Sequence, residues 1–458
     1  MKKYALIGKN LAHSQSRKIH ALIGDYDYNH IQISESAELE SLLADTDYSG
    51  FNVSSPFRFE IIKYLDELSP DAERIGAVNT VKRLPDGRLK GFNTDIEGFK
   101  YTVKGLARDR KCLILGTGGA AMACAVALED LGASEVILVS RDPEAACERL
   151  EGRIEIVGYN RLYLHYDAQI LVNATPVGQL PDLEHSPLTD NRITVRMFSR
   201  LELAVDLIYN PYRTKFLQDA RRLTGCHTKS GLEMLVVQAI ESRYEWRGVK
   251  TDSEEEDRLV KSVKRKILMD QLNVVAVGMP GSGKTTIFRR YAYELGLEFI
   301  DTDSETEKIM GESAQTVLGS GEAGIELFRA MEHVAVREAC KHNGAVIATG
   351  GGTVLNPINR DLLRSNGIVV YVKRPLDMLD IKGRPISINI GVAELFGDRD
   401  RIYHRTADMS ILNARIFGGK RKATGEGNTY NYELKGFVYY IARKIERYLN
   451  EIADNQWT

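Results

Sequence analysis

Two glycine-rich loops constrain this chain more than any other feature, because each lies between a short apolar run and a helical pattern. The first lies in Lys111–Ala121, KCLILGTGGAA, and the second in Asn273–Thr286, NVVAVGMPGSGKTT. A strand that turns through glycines directly into a helix gathers backbone N–H groups and the positive end of the helix dipole at one point, where phosphate is held. Two such units predict α/β architecture, with parallel sheets covered on both faces. The rest of the sequence agrees. Short β-rich runs at 136–140, 170–173, 204–208, 345–348 and 368–372 alternate with helix-sized segments.

The chain has 458 residues, 43% hydrophobic and 27% charged, with a formal net charge of −2. That length suits about three domains. The near-neutral balance gives no electrostatic reason to expect nucleic acid or an anionic membrane as partner. The first apolar run stops after Ile7, too short for a signal-peptide core, and no stretch reaches the length of a spanning helix. A cytoplasmic location is the expectation. Cys112, Cys124, Cys147, Cys226 and Cys340 are scattered, without CxxC or structural-zinc spacing, and read as buried reduced thiols.

The clearest boundary falls at 249–271, where TDSEEEDRLVKSVKRKIL begins acidic and ends basic. Ser253 and Glu256 predict a capping box, and Leu259, Val263 and Ile267 share one face. We read a linker helix between two folding units, 1–248 and 272–458. Residues 418–431 read as a polar loop, and 436–452 as a closing helix with Val438, Ile441, Ile445 and Leu449 on one side.

In the first loop, Gly116, Gly118, Gly119, Ala120 and Ala121 fit G-x-G-x-x-A in its strand–helix context, the signature of a Rossmann-type dinucleotide domain. The next strand ends in Ser140-Arg141-Asp142. A guanidinium at that tip suits a 2′-phosphate, so NADP(H) is preferred over NAD. The other reading leaves Arg141 solvated and puts Asp142 on the ribose. In the second loop, Gly278-x-x-x-x-Gly283-Lys284-Thr285 is a complete Walker A sequence. Backbone groups of Gly281, Ser282 and Gly283, with Thr286 following, would wrap the phosphates of ATP. Lys284 would neutralise their charge, and the Thr285 hydroxyl would reach Mg2+.

Residues 1–100 carry clustered polar turns: His13-Ser14-Gln15-Ser16, Asn52-Val53-Ser54-Ser55-Pro56, Gly76–Thr80 and Asn93-Thr94-Asp95. Together with Asp206–Pro211 and Gly231–Gln238 they resemble the shikimate dehydrogenase family over about Tyr4–Gly248. The resemblance implies an open α/β substrate domain (1–100 with 231–248) and an NADP domain (101–230). It implies that Ser14, Ser16 and Ser54 hydrogen-bond the substrate, and that Asn79, Asp95 and Gln238 bind its ring hydroxyls. Ser140, Arg141, Tyr209 and Gly231 fall on the cofactor side. Where the family carries a catalytic lysine paired with the aspartate of Asn-Thr-Asp, here Asp95, this chain has Arg58. Moving a hydride at a carbinol carbon requires a proton to move at its oxygen, and arginine effectively never releases one. Two readings follow. Arg58 stabilises the developing alkoxide while water carries the proton, or the domain binds its ligands with little turnover.

The second half resembles shikimate kinase over about residues 272–412, through GMPGSGKTT, Phe299-Ile300-Asp301-Thr302-Asp303, Phe328-Arg329 and Ala348-Thr349-Gly350-Gly351-Gly352. The resemblance implies Asp301 in the Mg2+ shell and Asp303 as hydroxyl ligand and base. It also implies Arg329 and Arg399 on the substrate carboxylate, the glycines against the ring, and Arg384 in a lid over the transferred phosphate. The expectation is a bifunctional enzyme that reduces 3-dehydroshikimate with NADPH and phosphorylates the shikimate formed. The alternatives are a kinase fused to a binding module, and a dehydrogenase for a related acid such as quinate. The oligomeric state is not legible in the sequence.

Overall fold

The computed structural model describes residues 2–12, 14–248, 250, 252–380, 391–414 and 427–454, with side chains of the last helix from Leu434 onward. Seventeen strands form three sheets among these residues. The first contains β1 (Lys3–Gly8), β2 (Asp27–Gln32), β3 (Tyr48–Val53), β4 (Glu67–Leu68), β5 (Thr80–Arg83) and β6 (Leu89–Phe92), in the order β2-β1-β3-β5-β6-β4. It is mixed: β1, β2 and β3 run parallel, and β5 pairs antiparallel with β3 and β6.

The second sheet is parallel throughout and follows the doubly wound dinucleotide-binding pattern. It contains β7 (Lys111–Leu115), β8 (Glu135–Ser140), β9 (Glu155–Gly158), β10 (Ile170–Asn173), β11 (Leu203–Asp206) and β12 (His227–Ser230), in the order β12-β11-β10-β7-β8-β9. The third is also parallel: β13 (Asn273–Val277), β14 (Phe299–Asp301), β15 (Val346–Ala348), β16 (Gly367–Lys373) and β17 (Met409–Leu412), ordered β14-β15-β13-β16-β17. Both glycine loops leave the C-terminal end of a central strand, β7 or β13, where parallel sheets bind ligands.

The segment read as a linker is a structural core element. The helix Ser253–Gln271 is capped by Asp252, whose carboxylate accepts from the Glu255 N–H at 2.8 Å, so the Ser253/Glu256 capping box does not form. Asp252 competes better because an N-cap carboxylate also meets the helix dipole. The buried face is Val260, Val263, Lys264, Ile267, Leu268 and Gln271, with Leu259 only partly covered. This stripe is broader than the sequence pattern because the helix packs on both sides. One apolar cluster joins Ile19, Val236 and Ile240 of the first half to Val263 and Ile267. It continues through Ile287, Phe288 and Val370 of the second half.

The closing helix, Gly427–Asp454, seals the same cluster with Val438, Ile441, Ile445 and Leu449. It starts within the segment read as loop; residues 418–426 lie outside the described residues. Cys147 is exposed, against expectation, while the other four cysteines are buried.

Polar contacts pin the junction. Arg213 donates to the carbonyls of Arg364 and Gly367 at 3.3 and 3.1 Å and to the Tyr448 hydroxyl at 2.9 Å, and it pairs with buried Asp408 at 3.3 Å. Gln271 Nε2 donates to the Tyr209 carbonyl at 2.7 Å and to Asn366 Oδ1 at 3.1 Å. Removing one partner of a buried pair leaves a charge without compensation. Arg213→Ala is therefore expected to cost about 3 kcal/mol of unfolding free energy in a denaturant titration. Lys3→Ala, which breaks an exposed pair with Asp47, should cost under about 1 kcal/mol. Equal effects would contradict this assignment of the junction.

Candidate functional sites

The first site is a cavity of about 480 Å3 between the first two sheets. Ser14, Ser16, Ser54, Arg58, Asn79 and Gln238 line it, and so does Tyr209, which the resemblance put on the cofactor side. Ser14 Oγ lies 3.2 Å from Ser16 Oγ and accepts from the Ser16 N–H at the same distance. Asp95 begins the helix Asp95–Thr102 and is 5% exposed at its side chain. Arg58 Nη1 donates to Asp95 Oδ2 at 2.5 Å, while Arg58 Nε donates to the Val53 carbonyl at 3.1 Å. The other carboxylate oxygen accepts from Asn79 Nδ2 at 2.8 Å, and Asn79 Oδ1 accepts from the Thr94 N–H at 2.8 Å. Arg58 thus occupies the paired position, its guanidinium held in one plane at the cavity wall.

The dinucleotide loop opens beside this cavity. Gly116 has φ +116°, a backbone that side-chain-bearing residues rarely adopt, and Gly118 is open on its Cβ side. Gly119 starts the helix Gly119–Asp130; a Cβ there would lie 3.6 Å from Arg58 Cδ, which puts the helix start beside the substrate cavity. Ala120 follows in the first turn. At the tip of β8, Ser140 Oγ accepts from the Asp142 N–H at 3.1 Å. Asp142 is occupied as an N-cap, accepting from the Ala145 N–H at 3.1 Å, whereas Arg141 is exposed. That arrangement fits a 2′-phosphate better than a bare ribose hydroxyl. Gly231 approaches the Leu207 carbonyl so closely that a Cβ would lie 2.0 Å from its oxygen.

Sequence reasoning missed several residues here. Arg149 reaches back to donate to the Thr117 carbonyl at 2.6 Å and to its hydroxyl oxygen at 3.0 Å. Gln179, Leu180 and Pro181 line the cavity from the dinucleotide domain. Their place after β10, at the C-terminal edge of a parallel sheet, was the available signal.

The second site is built on the P-loop. Gly278, Gly281 and Gly283 all have positive φ, and a Cβ on Gly278 would lie 2.6 Å from the Val372 carbonyl oxygen. Lys284, buried at the start of the helix Lys284–Leu295, donates to the Gly278 and Met279 carbonyls at 2.9 and 3.0 Å. Thr285 Oγ1 donates to Asp301 Oδ2 at 3.0 Å, so the two residues expected at Mg2+ meet. Thr286 is exposed beside them, while the Ser282 side chain points inward and is buried. A cation with hard oxygen ligands suits the Thr285–Asp301 pair.

Asp303, Arg329 and Arg399 surround the glycine triplet. A Cβ on Gly350 would lie 2.4 Å from Asp303 Oδ1, on Gly351 2.5 Å from Pro280 Cγ, and on Gly352 2.1 Å from Arg329 Nη2. Each glycine therefore makes room for a particular neighbour. Arg399 is 5% exposed and donates to the Gly351 carbonyl at 3.3 Å, which rules out a surface ion pair as its role. Arg329 is held by Glu332 at 2.7 Å, and buried Glu332 accepts from Thr353 Oγ1 at 2.7 Å. Glu332 was not read from the sequence, although an acid three residues beyond an arginine on one helix is a recognisable signal. Arg374 Nη1 donates to the Gly281 carbonyl at 3.2 Å and was also missed. Arg384 and His13 lie outside the described residues.

Fold and loops together define a dinucleotide-dependent oxidoreductase scaffold joined to a P-loop kinase scaffold. A family model described as shikimate dehydrogenase substrate binding domain matches residues 6–81, and one described as shikimate kinase matches 280–414. A shikimate dehydrogenase (NADP(+)) of Caldicellulosiruptor bescii is 38% identical over 266 residues, spanning 54% of this chain and 89% of that protein. Among solved structures, a chorismate mutase/shikimate 5-dehydrogenase fusion protein from Clostridium acetobutylicum aligns at TM-score 0.53 and 33% identity, over 58% of this chain and 98% of its own. Shikimate dehydrogenase 1 from Peptoclostridium difficile aligns at 0.51 and 33%, over 57% and 98%. The chain belongs to the shikimate dehydrogenase family and carries a shikimate kinase domain after it.

One titration tests the buried electrostatics of the dinucleotide domain. Asp206, at the end of β11, is fully buried and accepts from Thr214 Oγ1 at 2.6 Å, Asn173 Nδ2 at 3.0 Å and the Ile208 N–H at 3.0 Å. Burial outweighs these bonds and pushes its carboxyl up to about 7. The folded chain then keeps a proton that the unfolded chain releases near pH 4, so stability falls as pH rises from about 4 to about 7. The Tm of Asp206→Asn relative to the parent should climb across that window; a pH-independent difference would contradict it.

Proposed function

We propose that this chain catalyses two consecutive steps on one small acid: NADPH-dependent reduction of 3-dehydroshikimate to shikimate, and ATP-dependent phosphorylation of shikimate to shikimate 3-phosphate. The observation that carries the reading is that each nucleotide loop opens beside its own set of polar groups suited to a hydroxylated carboxylic acid. Residues 1–248 form the dehydrogenase half and 272–458 the kinase half, with 249–271 joining them. The proposed compartment is the cytosol, where buried thiols such as Cys124 and Cys340 stay reduced.

In the first half, Ser14 and Ser16 take the substrate carboxylate. Asn79, Asp95, Gln238 and Ser54 take the ring hydroxyls and fix the face presented to the cofactor. NADPH supplies a hydride to the carbonyl carbon when bound on the Gly116–Ala121 loop. Arg58 donates hydrogen bonds to the oxygen as it gains negative charge, and a water supplies the proton that completes the hydroxyl. Asp95 and the Val53 carbonyl keep the guanidinium aimed. In the second half, Arg329 and Arg399 hold the carboxylate in bidentate fashion. Asp303 orients the attacking hydroxyl and accepts its proton. Lys284 meets the charge on the phosphates, and Thr285 and Asp301 hold Mg2+.

Arg58 also favours a second reading, in which the first half binds its ligands without turnover. With shikimate and NADP+, the parent chain is expected to show absorbance growth at 340 nm, and Arg58→Ala to lose roughly 100-fold or more in kcat. A silent parent restored by Arg58→Lys would establish the binding-module reading instead. Lys284→Ala is expected to abolish shikimate-dependent ADP release while NADP+ reduction persists. ADP release that ignores shikimate would refute the substrate assignment.

A further inference from the structure

The loop that follows β10 reaches from one site to the other. Gly178, with φ +95°, folds it back so that a Cβ there would lie 2.9 Å from the His185 carbonyl oxygen. Gln179, Leu180 and Pro181 line the dehydrogenase cavity. Leu180 also packs against the apolar cluster of the kinase half, and Leu183, 5% exposed, lies within that cluster together with Val336, Val354 and Leu395. A residue of the dinucleotide domain is thus part of the kinase core.

Beside Leu183, Glu184 Oε1 lies 3.3 Å from His333 Nε2. His333 is on the helix Glu322–Ala339, which also carries Arg329, Glu332 and Val336 on neighbouring turns. The other His333 ring nitrogen lies 2.7 Å from Asn359 Oδ1, and Asn359 Nδ2 donates to the Thr353 carbonyl at 3.3 Å. Thr353 in turn donates from its hydroxyl to Glu332, which holds Arg329. A continuous path of polar contacts therefore runs from Glu184 to the guanidinium that meets the kinase substrate.

We propose that Leu183 and Glu184 are positioning residues for the kinase reaction: the dehydrogenase half supplies the brace that sets the helix bearing Arg329. The proposal rests on the kinase reading given above, in which Arg329 binds the substrate carboxylate. The brace has a specific kinetic consequence. Arg329 holds the carboxylate in ground state and transition state alike, so loosening its helix weakens uniform binding and raises KM while kcat stays close to the parent value. Loss of folded protein lowers apparent kcat instead.

The test uses full-length chain and steady-state ADP release against shikimate concentration. Glu184→Ala and Leu183→Ala are expected to raise the KM for shikimate roughly threefold to tenfold, toward the low end of the coupling between residues in one contact network, with kcat within twofold. Glu184→Gln, whose amide can either accept from or donate to His333 Nε2, should restore most of the loss. In a His333→Ala background, Glu184→Ala should add nothing. If Leu183→Ala does not fold, the half-exposed Glu184 carries the test. A KM unchanged within twofold in Glu184→Ala, or a fall in kcat at unchanged KM, overturns the proposal. A parent chain without shikimate-dependent ADP release marks failure of the kinase reading itself, seen before any variant is measured.

Discussion

The two halves are held by one hydrophobic core built around the helix Ser253–Gln271. Apolar side chains from the first helix of the chain, from Leu232–Arg247, from the P-loop helix and from the closing helix meet on it. Burial at this scale dominates folding free energy, and here the buried surface is shared rather than divided at a linker. Arg213 and Gln271 satisfy polar groups at its edge, where an unpaired carbonyl or carboxylate would be costly. The kinase half therefore packs directly on contacts made by the dehydrogenase half. Leu183 in the kinase cluster is the sharpest case.

Within that frame, the sites are shaped by close approach and by fixed charge. Each glycine of Gly350–Gly352 lies where a Cβ would collide with Asp303, Pro280 or Arg329. The triplet thereby sets how closely Asp303, Pro280 and Arg329 pack around it. In the dehydrogenase cavity, arginine in place of the family's lysine keeps the ion pair with Asp95 and adds a bond to the Val53 carbonyl. It exchanges a titratable donor for a rigid one. In the proposed reaction the proton comes from water, while Arg58 supplies orientation and field.

Local features were legible in the sequence. The strands at 111–115 and 170–173 and both glycine loops lie where the sequence pattern puts them, because each depends on a few consecutive residues; the polar residues of the first cavity read as turns by themselves and were singled out only by the family resemblance. Features set by distant partners were not legible. The pattern Leu259, Val263, Ile267 marked one narrow face, but packing on two sides buries Val260, Lys264 and Leu268 as well. Asp252 displaced Ser253 as the cap because both are competent and tertiary packing fixes where the helix starts. Arg149 and Glu184 act through side chains 32 and 149 positions away, a distance at which a single sequence carries no pairing signal.

The shared core predicts that dehydrogenase and kinase unfold as one cooperative body. Differential scanning calorimetry of the full chain, with and without saturating NADP+, measures this directly. Because a ligand stabilises everything that unfolds with its site, one endotherm is expected that moves upward as a whole when NADP+ is added. Two endotherms, with only one responding to NADP+, would contradict it.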